Sequence, residues 1–199
     1  MRDAVDTNRR SFIRMATCLG ASAVLSPFAA LMLPESAEAA PMVPLRLHNP
    51  HTNETYAVDL FVGPQWNKSG LLVCDWMMRD WREKTTVNCD RKLYAALYVI
   101  QRKFGVDAPI SVNSGFRSEK TNSALRAASI ARHGGKATAE APAVNSQHKH
   151  ARAVDFAIPG VPVKEVSRYV KSLQIGGVGT YATFTHMDTA RIRYWGHPV

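Results

Sequence analysis

The sequence predicts an α+β domain, a small and mainly antiparallel sheet with flanking helices. Three observations predict it. Alternating apolar and polar residues occur towards both ends of the chain, stretches with a 3.6-residue apolar repeat lie between them, and turn-forming clusters separate the two kinds. A length of 199 residues, 46% hydrophobic, suffices for one ordinary core and leaves no room for two large ones.

In chain order, "VPLRLHNPHTNETYAVDLF" alternates around the turn cluster "HNPHTNE", the pattern of a hairpin. "CDWMMRDWREKT" reads as a helix with a Trp/Met face. "DRKLYAALYVIQRKFG" is a second helix: Asp90 can cap it, Leu93, Leu97, Ile100 and Phe104 form one stripe, and Gly105 ends it. Ile110 and Val112 alternate as in a strand, "NSG" turns the chain, and Ser118 can cap a helix running to Gly134 and Gly135. "KATAEAPAVN" has no periodicity and reads as a mobile surface loop. "ARAVDFAIP" alternates again, and "PVKEVSRYVKSL" is a helix with Pro162 in its first turn and Val163, Val166, Val170 and Leu173 on one face. The chain closes on "GGVGTYATFTHMDTARIRYWG", glycine-rich and then strongly alternating.

The first 39 residues stand apart. Arg9 and Arg10, with Phe12 and Arg14 behind them, precede an apolar run that ends in "AEAA", so residues 1–39 are expected to be a twin-arginine export signal and 40–199 the functional domain. A transmembrane anchor is the competing reading, but Pro27 interrupts the run and Ala37-Glu38-Ala39 has the pattern of a cleavage site. Membrane contact is then expected only transiently, and the protein is expected in the periplasm.

Loss of the signal removes four Lys/Arg and four Asp/Glu and leaves the net charge at +9. No nucleic-acid motif accompanies this charge, so no nucleic-acid partner is expected. An exported cation meets anionic wall polymers and lipid headgroups instead, although a solvated basic surface also accounts for the charge. Cys74 and Cys89, the cysteines remaining, admit either a disulfide or two separate buried thiols.

The chemistry gathers in "NSQHKHARAVDF". Period-two alternation puts Val154, Phe156 and Ile158 on one face of a strand and Ala153, Asp155 and Ala157 on the other, so the carboxylate sits between small neighbours that leave space above it. In "ATFTHMDTARIRYW" the same alternation puts Phe184, His186 and Asp188 on one face. If the two strands are neighbours, His148, Asp155 and His186 converge as three N/O ligands with a fourth position open, the arrangement of a catalytic zinc site. A surface histidine, a salt-bridged aspartate and a satisfied core histidine would share the same spacing.

"SQHKHARAVDF" resembles the S-x-H-x-x-G-x-A-x-D signature of the D-alanyl-D-alanine carboxypeptidase-like zinc peptidases, which share a metal-site fold with hedgehog-type domains. "HTNE", "RDWR", "NSGFRS", "GGVGTY" and "FTHMDTARIRYW" are similar, in order, to blocks of the murein endopeptidase K-like branch. The resemblance implies Zn2+ held by His148, Asp155 and His186, with Arg117 as a substrate-binding cation and Ser146 and Tyr181 in the cleft wall. It implies peptidoglycan stem peptides as substrate and hydrolysis of cross-link amides, between diaminopimelate residues, during wall remodelling. A zinc- or wall-binding module without turnover and a D-alanyl carboxypeptidase are the alternatives.

The chain departs from the pattern at Ala151, Ala190 and Asn53, where the family has glycine, and at Thr183, where many relatives of the wider class carry an acid. Asp188 is therefore the expected general base, with the orientation of a ligand histidine as its alternative role; His150 is the rival base or an exposed turn residue.

Overall fold

Leu45–Asn49 (β1) and Glu54–Val58 (β2) pair antiparallel across the anticipated turn, in which Asn53 adopts φ +57°. The structure is a computed structural model and describes residues 42–105, 108–138 and 141–196; the expected export signal at 1–39 and the domain boundary at 40 lie outside them. A small hairpin of Phe61–Val62 (β3) and Gln65–Trp66 (β4) follows.

Helix α1 spans Lys68–Met77 and starts where the Asn67 side chain accepts the N–H of Ser69. This shifts the helix expected at "CDWMMRDWREKT" by about two turns towards the N-terminus. Beyond Met78 the Asp80 carboxylate collects the N–H groups of Arg82 and Glu83, a local turn that competes with further helix. Helix α2, Arg91–Phe104, has the expected ends: Asp90 accepts the N–H of Lys92, and Gly105 closes it at φ +57°.

Ile110–Ser114 (β5) leads to α3, Glu119–Arg132, capped by Ser118. Of the loop expected as mobile, residues 139–140 lie outside the described ones. Its described part is tied to α3 where Asn122 and Arg126 donate to the carbonyls of Ala143 and Pro142. A short 3-10 turn, Gln147–His150, precedes Ala153–Ala157 (β6). Helix α4, Val163–Leu173, then crosses to Gly177–Thr180 (β7), Thr185–Asp188 (β8) and Arg193–Gly196 (β9).

The main sheet runs β2-β1-β5-β6-β8-β7-β9. The expected small sheet is thus corrected to one of seven strands, with four antiparallel pairings and two parallel ones, β1 with β5 and β7 with β9. Alternation reveals which face of a strand is apolar and is silent about its partner, so the parallel crossovers were not readable from it. One face of the sheet buries Leu45, Leu47, Val112, Val154, Phe156 and Met187 in a common core with Leu93, Leu97 and Ile100 of α2 and Val166, Val170 and Leu173 of α4. Each such side chain contributes roughly 1.5–3 kcal/mol.

Of the two readings of the cysteines, the structure has free, buried thiols and not a bridge. Cys89 Sγ points to the carbonyl of Val87 at 3.8 Å, and its N–H is held by Asp75. Burial pushes both thiols up to about 12. Among the described residues no helix is long and apolar enough to cross a membrane.

Candidate metal centre

The register of β6 and β8 sets Asp155 directly opposite His186. Asp155 Oδ1 lies 2.8 Å from His186 Nδ1 and 3.2 Å from His148 Nε2, and the two imidazole nitrogens are 3.2 Å apart. His148 comes from the 3-10 turn, and Ala151, the residue that follows the turn, adopts φ +54° and so brings the chain round into β6. The Ala151 carbonyl accepts the N–H of Asp90 at 2.9 Å, and Asp90 Oδ2 accepts the Thr189 hydroxyl, so the start of α2 anchors the loops on both sides of the site.

Each imidazole is oriented from behind. The carbonyl of Gly115 takes His148 Nδ1 at 2.6 Å. A carbonyl only accepts, so Nδ1 carries the proton and Nε2 presents its lone pair to the cluster. Gly115 is required there, because a Cβ would lie 2.3 Å from the oxygen of Met78. Behind His186, Asp188 Oδ2 receives Nε2 at 3.2 Å, which leaves Nδ1 as the inward lone pair. The third inward atom is Oδ1 of Asp155, 2.8 Å from His186 Nδ1; a proton on Nδ1 would bridge that pair, and with His186 neutral in this tautomer three lone-pair atoms converge. Such a set repels itself unless a cation occupies its centre, and its composition fits a zinc ion. His148, Asp155 and His186 all have at most 7% of their surface exposed, and their ligand atoms lie within 4.8 Å of one another.

The electrostatics agree with tight coupling. Burial, and after it the Arg117 charge, push His148 down to about 4. Asp155 is held well below the usual carboxylate range: burial acts in the other direction and is outweighed by His148 and by Arg117. His186 is raised, because its bonds to Asp155 and Asp188 outweigh burial.

Asp188, the expected general base, lies 3.2 Å from His186 Nε2. It has 0% exposure and does not line the cleft. Its oxygens accept the N–H groups of Gly177 and Ala190 and the two-pronged fork of Arg193 at 3.1 and 2.7 Å. Burial raises its pKa, and His186 and Arg193 more than offset that and lower it. The glycines of "GGVG" make room for this arrangement. A Cβ at Gly177 would meet Asp188 and Arg193 at 2.4 Å, and one at Gly179 would meet the Trp195 indole at 2.7 Å. His150 is exposed, bonds to Asn145 Oδ1 at 2.8 Å and also stands outside the cleft lining.

The cleft itself has a volume of about 600 Å³ and contains His148, Asp155 and His186 together with Arg117, Ser146 and Tyr181. Arg117 donates to Ser114 Oγ at 2.8 Å and pairs through Nη2 with Asp155 Oδ2. Tyr181 stacks on Phe184, ring centres 4.5 Å apart, and its hydroxyl accepts from Trp195 Nε1 at 3.1 Å. Sequence reasoning missed Arg193, Trp195 and His51 as cleft residues. Their positions follow from the parallel β7–β9 pairing and from the β1–β2 turn, for which alternation holds no signal.

A buried His/Asp/His cluster at the floor of an open cleft, two of its members on neighbouring strands and the third on the turn before them, is the arrangement of a candidate metal centre of a metal-dependent enzyme. The comparisons narrow it. The profile of the family described as peptidoglycan L,D-endopeptidase MepK matches residues 37–195, and the chain belongs to that family. It is 32% identical over 197 residues to the peptidoglycan L,D-endopeptidase MepK of Escherichia coli K12, covering 97% of this chain and 100% of that protein. It is 32% identical over 199 residues to the probable peptidoglycan L,D-endopeptidase MepK of Haemophilus influenzae, covering 96% and 97%. No solved structure matches the chain significantly.

Proposed function

We propose that this chain is an exported, zinc-dependent murein endopeptidase that hydrolyses amide bonds in peptidoglycan peptide cross-links. His148, Asp155 and His186 hold the metal, and residues 1–39 direct export to the periplasm and are then removed. The convergence of three lone-pair atoms at the floor of the cleft carries the reading. A zinc ion held there supplies Lewis acidity, polarising the scissile carbonyl and making water a usable nucleophile near neutral pH.

The chain's own residues do the rest. Gly115 and Asp188 fix the tautomers of the two imidazoles, so both lone pairs aim inward. Arg193 and the Gly177 N–H keep Asp188 ionised and immobile, and its place behind His186 supports an orienting role over that of the base. Arg117 holds Asp155 Oδ2, which turns Oδ1 towards the histidines. Its remaining N–H groups are available to a substrate carboxylate or to the oxyanion that develops on the scissile carbonyl. Ser146 and Tyr181 form the wall against which the peptide lies.

One observation favours a binding module without turnover: among the described residues Asp155 is the only acid that lines the cleft. Digestion of purified muropeptides, with products identified by mass, separates the readings. The expected result is cross-linked dimers converted to monomers, with the reaction abolished by a chelator and restored by zinc. Loss of terminal D-alanine alone would assign a carboxypeptidase, and intact dimers would assign a binding module.

A further inference from the structure

Among the described residues four arginines line the cleft against one carboxylate, that of Asp155. Two are already engaged, Arg117 by Asp155 and Arg193 by Asp188. Arg132 turns its Nε back to the Ala128 carbonyl of its own helix at 3.3 Å. Arg82 differs from all three. Its guanidinium carbon lies 4.2 Å from the centre of the Trp81 ring, and among the described residues no carboxylate pairs with it.

The obvious counterion is otherwise engaged. Asp80 Oδ1 accepts the main-chain N–H groups of Arg82 and Glu83 at 3.1 and 3.4 Å, and Oδ2 accepts that of Ser118 at 2.9 Å. Partial burial lowers the pKa of Arg82, Asp80 opposes, and the like charge of Arg117 adds to the lowering. Arg82 and Arg117 both line the cleft, and Arg117 is neutralised by Asp155 whereas Arg82 has no such partner among the described residues, so an anion entering the cleft finds its charge at Arg82.

The platform under Arg82 is fixed from a second direction. Trp81 also stacks on His51, ring centres 4.8 Å apart and planes 18° from parallel, and His51 Nε2–H donates to the Asn113 carbonyl at 3.0 Å. Trp81 Nε1 is buried without a partner, so the indole serves this wall through its faces. A guanidinium held on an aromatic face keeps its N–H fork free, and a planar carboxylate matches that fork.

We propose that Arg82, steadied on the Trp81–His51 stack, is a specificity-determining residue that recognises a free carboxylate of the peptide substrate. This rests on the peptidase reading above and adds which lining residue reads the acid. Arg82 takes no part in bond cleavage; it selects peptides whose carboxyl groups are unmodified.

The test is calorimetric binding of a short stem peptide with no cross-link to cut, compared with the same peptide after amidation of its carboxyl groups. Zinc-loaded wild-type protein is expected to bind the free acid at least about tenfold more tightly, the range of a charge-assisted bond. Arg82→Gln is expected to lose that preference while keeping wild-type affinity for the amide, and Arg82→Lys to keep part of it. Thermal melts of both variants should match wild type, because Arg82 is exposed at the rim. Three outcomes overturn the proposal: a wild type that binds the two peptides alike or not at all, an Arg82→Gln protein that keeps the preference, or a preference abolished by Arg132→Gln instead. Failure of the peptidase reading would appear separately, as intact muropeptide dimers, and leaves the binding comparison readable.

Discussion

Strands β6 and β8 have two faces that are equally buried and built by opposite rules. On one, Val154, Phe156 and Met187 join the apolar core at 0% exposure. On the other, Asp155, His186 and Asp188 are 0–7% exposed, and every charged oxygen has a partner. Burial alone therefore does not separate core from site here. What separates them is saturation: the apolar face needs volume filled, whereas the polar face needs each donor and acceptor matched, because an unpaired buried charge costs several kcal/mol. Asp188, Arg193 and the Gly177 N–H belong to that matching.

The contrast can be broken by substitution on either face. The largest effect on stability is expected on the apolar one. Phe156→Ala should cost about 3–5 kcal/mol in urea unfolding, by lost burial and a residual cavity, while the molecules that stay folded keep their metal. Loss of metal with an unchanged unfolding midpoint would show that the two faces are not independent.

Asp188→Asn is expected to be intermediate. As the group that orients His186, its loss should weaken zinc affinity by about 10- to 100-fold with the fold intact. Full zinc affinity together with a rate lower by about 10² to 10⁴ would instead return Asp188 to the role of general base.

The smallest effect is expected at the turn that joins the faces. Ala151 sits at φ +54°, a conformation that disfavours a Cβ, so Ala151→Gly should stabilise the protein by about 1 kcal/mol. An unchanged or lower unfolding midpoint would remove strain from the account of this turn. Of the other two departures from the family pattern, Asn53 also has positive φ, whereas Ala190 does not.

The features legible in the sequence were those set by local chemistry. Asp90 and Gly105 bounded α2, Ser118 opened α3, and period-two alternation put His186 and Asp188 on one face. What escaped depended on partners distant in sequence. Helix α1 starts at a cap, Asn67, hidden behind an unrecognised β3–β4 hairpin. The burial of Asp188 was not readable, because nothing local announces that Arg193 will fold back on it across the β8–β9 turn. The seven-strand width came from parallel crossovers, and the Arg82–Trp81–His51 stack from two turns 30 residues apart.

The central claim is that one polar face, completed by His148, holds a single zinc ion. Elemental analysis of the purified protein tests it most directly, with wild type measured beside His148→Ala and His186→Ala and circular dichroism confirming that all three are folded. The account predicts one zinc per chain in wild type and none in either variant. Full zinc in a folded His148→Ala or His186→Ala protein, or a wild type that takes up no zinc after dialysis against the metal, would contradict it.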